Sequence, residues 1–301
     1  VDFSRLVERL GLQSINGSRH PFLCRVLPFS GGSDHYIFND GSLKVPSVML
    51  GHGDIFHHTS LDTIDKVDSS ELRRVCFIAL GTALYLAHAS DDEALAMAHL
   101  VSRNGIGRYA GDYYESLWNM MRAATPSDLE RSYRQTRSVA EHSEKREKEA
   151  VLSTCRFAST EETFQRIRRM VSPLERLKSY FLEDLDIRYA ERSKDLNLEP
   201  TQIPSFEDEA RWNRIIPHRA EEFIGPLDRD YVEQKLGKDA FKGVDLGQRV
   251  AYEALNFADG ARSLREIAEA VSAEFGPVSP AKIYAYFQVL ERAGLLFLKE
   301  R

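Results

Sequence analysis

Apolar residues change their spacing several times along the chain, and each change predicts a different element. Phe3, Leu6, Val7 and Leu10 recur at helical intervals and stop at Gly11, so residues 2–11 read as a helix. Residues 22–27 read as a strand that ends in a Ser30-Gly31-Gly32 turn. Residues 46–51 read as a second strand, apolar enough to lie inside a sheet. A long helix is predicted from Ser69 to about Ala89, and its apolar run over 75–89 is interrupted by Gly81 and Thr82. That run is too short to cross a bilayer and reads as a buried core helix. Strand, loop and helix in this alternation predict the edge of an α/β sandwich.

From about Asp91 the pattern becomes almost continuously helix-forming to residue 185, with breaks expected at Asn104-Gly105, Thr125-Pro126 and Ser172-Pro173. Thr125-Pro126-Ser127-Asp128 is a strong helix start, and the stretch to Phe157 carries Glu, Lys and Arg at i,i+4 spacing, for instance Glu141 with Lys145. Such a helix serves as an antiparallel arm or homodimer contact, or packs as a solvated helix on its neighbour. Residues 186–240, with Pro200, Pro204, Pro217 and Pro226, read as an ordered but irregular connector. From Asp245 the pattern gives a helix over 246–257, an Asp259-Gly260 turn and helices over 263–275 and 279–293. A strand over 294–298 follows. This order resembles a winged-helix domain, or the related small peptide-binding modules of bacterial biosynthetic enzymes. Three regions result: 1–90, 91–240 and 241–301.

Composition narrows the functions. A 43% hydrophobic content is ample for a packed core, and a net charge of −6 argues against a general nucleic-acid binder. From Leu246 onward there are seven Lys/Arg and seven Asp/Glu, and the helix that would enter a groove carries Tyr284, Tyr286 and Phe287. A neutral, aromatic helix suits packing on protein better than phosphate or base readout. Cys24, Cys76 and Cys155 are odd in number and widely spaced, so they read as buried hydrophobes rather than a disulfide framework. With no signal peptide and no membrane span visible, the chain is expected in the cytoplasm. Its first residue is Val1 rather than Met, so it reads as a piece of a longer protein.

The chemistry concentrates in residues 32–68. A Ser33-Asp34-His35-Tyr36-Ile37-Phe38 turn is followed by Val45-Pro46-Ser47-Val48-Met49-Leu50, and then by His58-Thr59-Ser60-Leu61-Asp62-Thr63-Ile64-Asp65-Lys66 ahead of the helix. Imidazole and carboxylate at the carboxyl ends of strands can converge on one ion. In their order and spacing these elements resemble the closing segment of the zinc-dependent exopeptidases. That family includes bacterial aminopeptidases, glutaminyl cyclases, glutamate carboxypeptidases and the non-catalytic transferrin-receptor ectodomain. The resemblance covers roughly residues 1–90 and implies a partial αβα sandwich there, followed by a mainly helical region and the winged-helix-like unit.

The resemblance further implies an aminopeptidase acting on peptides with two zinc ions. It makes His58 a metal ligand, and His57, where many relatives carry an aromatic, a donor to the oxyanion. Ser33, Asp34 and His35 would shape the substrate pocket, with an Asx-type turn capped by Asp34 as the alternative. Asp62 and Thr63 would brace the His58 loop, while Asp62, Asp65 and Asp68 also suit the N-terminus of the following helix. The family's His-x-Asp element, Glu-Glu pair and further Asp are not found in residues 1–30, where Asp2, Glu8 and His20 stand isolated. Glu161-Glu162 lies far downstream. By itself the chain is therefore expected neither to bind two zinc ions tightly nor to hydrolyse peptides. A metal-free scaffold, a peptide-responsive regulator and a cyclase remain alternatives.

Overall fold

Short polar side chains set most of the helix starts. In the computed structural model, which describes residues 26–27, 29–51, 53, 55–198 and 209–301, a one-turn helix α1 spans His35–Phe38. Asp68 accepts from the amides of Ser70 (2.7 Å) and Glu71 (3.2 Å) and opens α2, Ser69–Ala87. A Ser90/Glu93 capping box opens α3, Asp91–Met121, and Thr125 with a following proline opens α4, Pro126–Ser153. A short 3-10 turn leads to α5, Glu161–Arg169, and then to α6, Ser172–Asp195. The third region holds α7 (Glu209–Arg214), β1 (Ile215–Arg219), α8 (Arg229–Leu236), α9 (Gln248–Asn256), α10 (Leu264–Phe275), α11 (Pro280–Arg292) and β2 (Leu296–Glu300). All of these elements belong to one compact unit, residues 33–301.

Helix makes up 65% of the structure, so the fold class is mainly α. An αβα sandwich at the N-terminus is not formed among the described residues. Residues 45–50 form no strand, with Val48 82% exposed, because among the described residues no neighbouring strand gives them a ladder partner. The helix predicted next does form as α2, yet none of its residues is buried. The expected core helix is therefore an apolar helix without a cover among the described residues. The helix over 2–11 and the strand through Cys24 lie outside the described residues.

Two cores carry the rest. In the first, α3, α4 and α6 pack around Tyr109, Tyr113, Met120, Tyr133, Phe181 and Leu185. Each buried phenol finds an acceptor: Tyr109 donates to the Ala140 carbonyl (2.7 Å), Tyr113 to the Phe181 carbonyl (2.9 Å) and Tyr133 to Asp186 (2.6 Å). The break expected at Asn104-Gly105 does not occur, and α3 runs straight through it. A Cβ at Gly105 would stand 2.8 Å from Oε2 of Glu147 on α4. Gly105 thus marks a close helix contact and not a helix end. Glu141 pairs with Arg137 (3.1 Å) rather than with the expected Lys145. Far from standing as an arm, α4 buries Tyr133, Val139, Glu144, Glu147 and Val151 against neighbouring helices.

The second core joins Trp212, Ile267, Ile283, Phe287, Leu290 and Leu296. Helices α9, α10 and α11 and strand β2 appear in the predicted order. β2 pairs antiparallel with β1, which lies in the stretch expected to be irregular, and His218 of β1 also bridges Asp259 of the Asp-Gly turn. Pro217 is tolerated in β1 because it faces Leu298, whose N–H donates to the Glu291 carboxylate (2.9 Å) instead of into the ladder. Helix α10 fixes the two cores together through Gln135 to the Ser272 carbonyl (2.5 Å) and Ser138 to the Glu269 carbonyl (2.8 Å).

Candidate functional site

The His57-His58 pair sits on a tight turn. The Thr59 amide (3.0 Å) and hydroxyl (2.6 Å) both donate to the Phe56 carbonyl, which closes a four-residue turn with the two histidines at its centre. His58 adopts φ +62°, a left-handed conformation uncommon outside glycine and a few polar residues. The two imidazoles stack with centroids 3.8 Å apart, and both residues are exposed. Lys66 lies over the Phe56 ring at 5.4 Å and pairs with Asp65. Hydrogen bonds from Lys66 and from Thr63 (2.5 Å) hold the Asp65 carboxyl below its ordinary range.

Thr63 is thus engaged with Asp65 and the Leu61 carbonyl (3.3 Å), and the Asp62 amide donates to the Thr59 carbonyl (3.2 Å). The bonds that shape the histidine turn come from Thr59, a member of the His-Thr motif to which no role of its own was assigned. A threonine directly after a solvent-facing histidine was the available signal, since its hydroxyl can close such a turn on its own. Asp68 has the capping role foreseen for the acidic residues here, because it is the N-cap of α2.

Ser33 and Asp34 are exposed, while His35 is buried at the start of α1. Asp34 occupies the N-cap position without a side-chain capping bond, and its backbone carbonyl accepts from Ile37 (3.0 Å). The Asx-type alternative is therefore not the arrangement found. Immediately behind the turn, Tyr36 stacks on Tyr252 of α9 with ring centroids 4.4 Å apart, and the Tyr252 hydroxyl donates to the Tyr36 carbonyl (2.9 Å).

Zinc fits these residues only in part. Among the described residues, no group of three or more His, Cys, Asp or Glu is placed to hold a metal ion, so Asp34, His35, His57, His58 and Asp62 do not assemble into one. A zinc site needs three or four such ligands. His58 has the exposure and the fixed turn that one ligand needs, but the described residues do not make a zinc site on their own, and no catalytic step follows through a metal here. Among the described residues, no helix is long and apolar enough to cross a membrane.

A cleft lies where α4 meets the third region. His142 and Arg146 face Glu253, Phe257, Arg262 and Glu274 across a polar cleft. Burial, with Glu274 and Asp40 adding repulsion, pushes the Glu253 carboxyl up to about 7. Burial also acts to raise Glu269 beside this cleft, but hydrogen bonds with His142 and Arg265 overrule it and hold that carboxyl low. Comparison of the chain with family models, with curated proteins and with solved structures finds no match.

Proposed function

We propose that roughly residues 1–90 are the closing segment of a zinc-dependent exopeptidase domain of the aminopeptidase type, acting on peptides in the cytoplasm. The observation that carries this reading is His58, an exposed imidazole held at φ +62° on a turn directly ahead of a long helix. Non-glycine residues persist in that conformation where the surroundings fix them, and such positions cluster at functional sites. Two further observations support it. The apolar segment 45–50 and all of α2 lie uncovered, as elements do that belong to a larger layered domain. The three motif elements also follow one another in the family's order.

In this reading His58 supplies one metal ligand, His57 an N–H donor toward the carbonyl oxygen under attack, and Ser33 to His35 a wall of the side-chain pocket. The remaining ligands and the general base belong to residues other than those described. The closest competitor is a metal-free scaffold with the same fold, and one measurement separates the two. Zinc content by mass spectrometry and hydrolysis of leucine p-nitroanilide are compared for the intact protein and its His58→Ala variant. Loss of one ligand is expected to lower zinc affinity at least about tenfold and hydrolysis roughly a hundredfold. Unchanged zinc and activity in the variant would remove His58 from the site, and a zinc-free, inactive parent would establish the scaffold.

A further inference from the structure

Two glycines of this chain have an evident reason in its own packing. Gly105 leaves room for Glu147, and Gly41 lets its loop approach α9. The Gly41 amide donates to Asn256 Oδ1 (2.8 Å), and a Cβ there would lie 2.9 Å from the Asn256 carbonyl oxygen. Beside it the buried Asp40 pairs with Arg219 of β1 (2.8 Å). Gly107 and Gly111 of α3 are different. Both are exposed in mid-helix, and a Cβ on either would meet nothing within 4 Å among the described residues. Glycine at an open helix position weakens the helix relative to alanine, and no contact of these two offsets that loss.

Two large aromatics on the same helix are equally unexplained by packing within the chain. Trp118 is 64% exposed and Tyr114 48%. Tyr114 is nevertheless held in place, with its ring edge-on to Phe181 at 5.7 Å and its hydroxyl hydrogen-bonded with Tyr180. Gly107, Gly111, Tyr114 and Trp118 follow at intervals of four, three and four residues. At about 100° per residue they share a stripe roughly 60° wide. It lies opposite the face that buries Tyr109, Tyr113 and Met120.

The order of these four residues is self-complementary. Gly107 and Trp118 have the same midpoint along the helix as Gly111 and Tyr114, between Asp112 and Tyr113. A second α3 laid antiparallel on the stripe about that point sets each Trp118 over Gly107 of the other copy and each Tyr114 over Gly111. A twofold contact requires this reciprocity, whereas a foreign partner gives no reason for it. The charges agree. Glu115 and Arg108 are exposed on one flank of the stripe and straddle nearly the same point, so each comes level with its opposite in the other copy.

We propose that the chain forms a twofold homodimer through α3, with the aromatic half of the stripe seated on the glycine half of the second copy. The contact falls on α3 and not on α4, whose charged stretch suggested one. Four half-exposed rings of roughly 150–250 Å² each, with the glycine floors beneath them, bury on the order of 1,000 Å² in all. That is the small end of specific interfaces, so the dimer is reversible.

The test is sedimentation velocity over about 1–100 μM protein, a range set by the Kd expected of so small an interface. The 301-residue chain carries Phe77→Gln, Leu80→Gln and Leu84→Gln throughout, so that α2 does not contribute. In that background Trp118→Gly leaves glycine against glycine, and Gly107→Trp sets tryptophan against tryptophan. Each should raise the dimer Kd at least about tenfold. The double variant restores one tryptophan and one glycine at every contact and should return the Kd to within about threefold of its parent. A parent that stays monomeric overturns the proposal, as do single variants with unchanged Kd or a double variant as weak as either single one. If circular dichroism shows that Trp118→Gly unfolds α3, Gly107→Ala decides instead. It strengthens the helix, so association as tight as the parent's or tighter overturns the proposal, and a Kd raised several-fold supports it.

Discussion

At the scale of single residues, Glu147 shows how local rules compete. It is buried, and its carboxylate receives Arg108 (2.5 Å) and Arg146 (2.9 Å) in the space left by the absent side chain of Gly105. Alanine at 105 would add about 1 kcal/mol of helix propensity in an open site. Here it would push the carboxylate off its two arginines, and losing a buried charged contact outweighs that gain by roughly 1–3 kcal/mol. Gly105→Ala is expected to lower stability in urea unfolding, whereas the same change in a Glu147→Ala background should raise it. Stabilisation in both backgrounds would refute the packing argument.

Glu253 supplies a prediction in pH. Its carboxyl is raised to about 7 from an unfolded value of 4.5, so the folded chain holds a proton that the unfolded chain has lost between those values. Stability from this group is fully present below pH 4.5 and falls as the pH rises to about 7. Unfolding free energies from urea titration at pH 5 and pH 8 should differ by on the order of 2 kcal/mol more in the parent than in Glu253→Gln. Equal differences would mean that the carboxylate is solvated. Neither residue was legible in the sequence, because i,i+4 spacing shows which charges share a helix face but not which of them another helix covers. Thr59 was hidden for a similar reason: its neighbour His58 has the visible chemistry, and the threonine's role exists only once the turn closes.

At the scale of elements, the long helices and strand β2 were legible, while β1 and the short helices α7 and α8 were not. Thr125, Ser263 and Ser279 announce the starts of α4, α10 and α11 because a cap is a local bond that needs no distant partner. A strand depends on a neighbour. Residues 45–50 look more strand-like than β1 does, yet β1 forms because β2 and Asp259 flank it, and its proline falls where no ladder bond is needed. Helix α2 shows the same dependence in another form, since it forms on its own propensity but finds no cover among the described residues. Phe77, Leu80 and Leu84 are 61%, 64% and 60% exposed. Glutamine at these three positions in the 301-residue chain should change stability by no more than about 0.5 kcal/mol per site and should lower self-association in sedimentation velocity. A larger loss of stability would show that this surface is already packed.

At the scale of the molecule, the two cores of the unit 33–301 are joined by side chain to backbone contacts from α4 to α10, so the third region is an integral part of that unit and not a tethered module. Helices α9, α10 and α11 follow one another in the expected order, while the partner strand of β2 comes from upstream, at β1. Most of this joining was invisible in the sequence, because it runs between residues more than 130 positions apart.

Joins that reach further still along the chain have a consequence for timing. Gly41 waits for Asn256, 215 residues later, and Asp40 for Arg219, 179 residues later. At a ribosomal pace of about 5–20 residues per second, the first of these intervals is roughly 10–40 s. A bend synthesised early is therefore latched only once Arg219 and Asn256 have been made, and a nascent protein carries it unfinished over that interval.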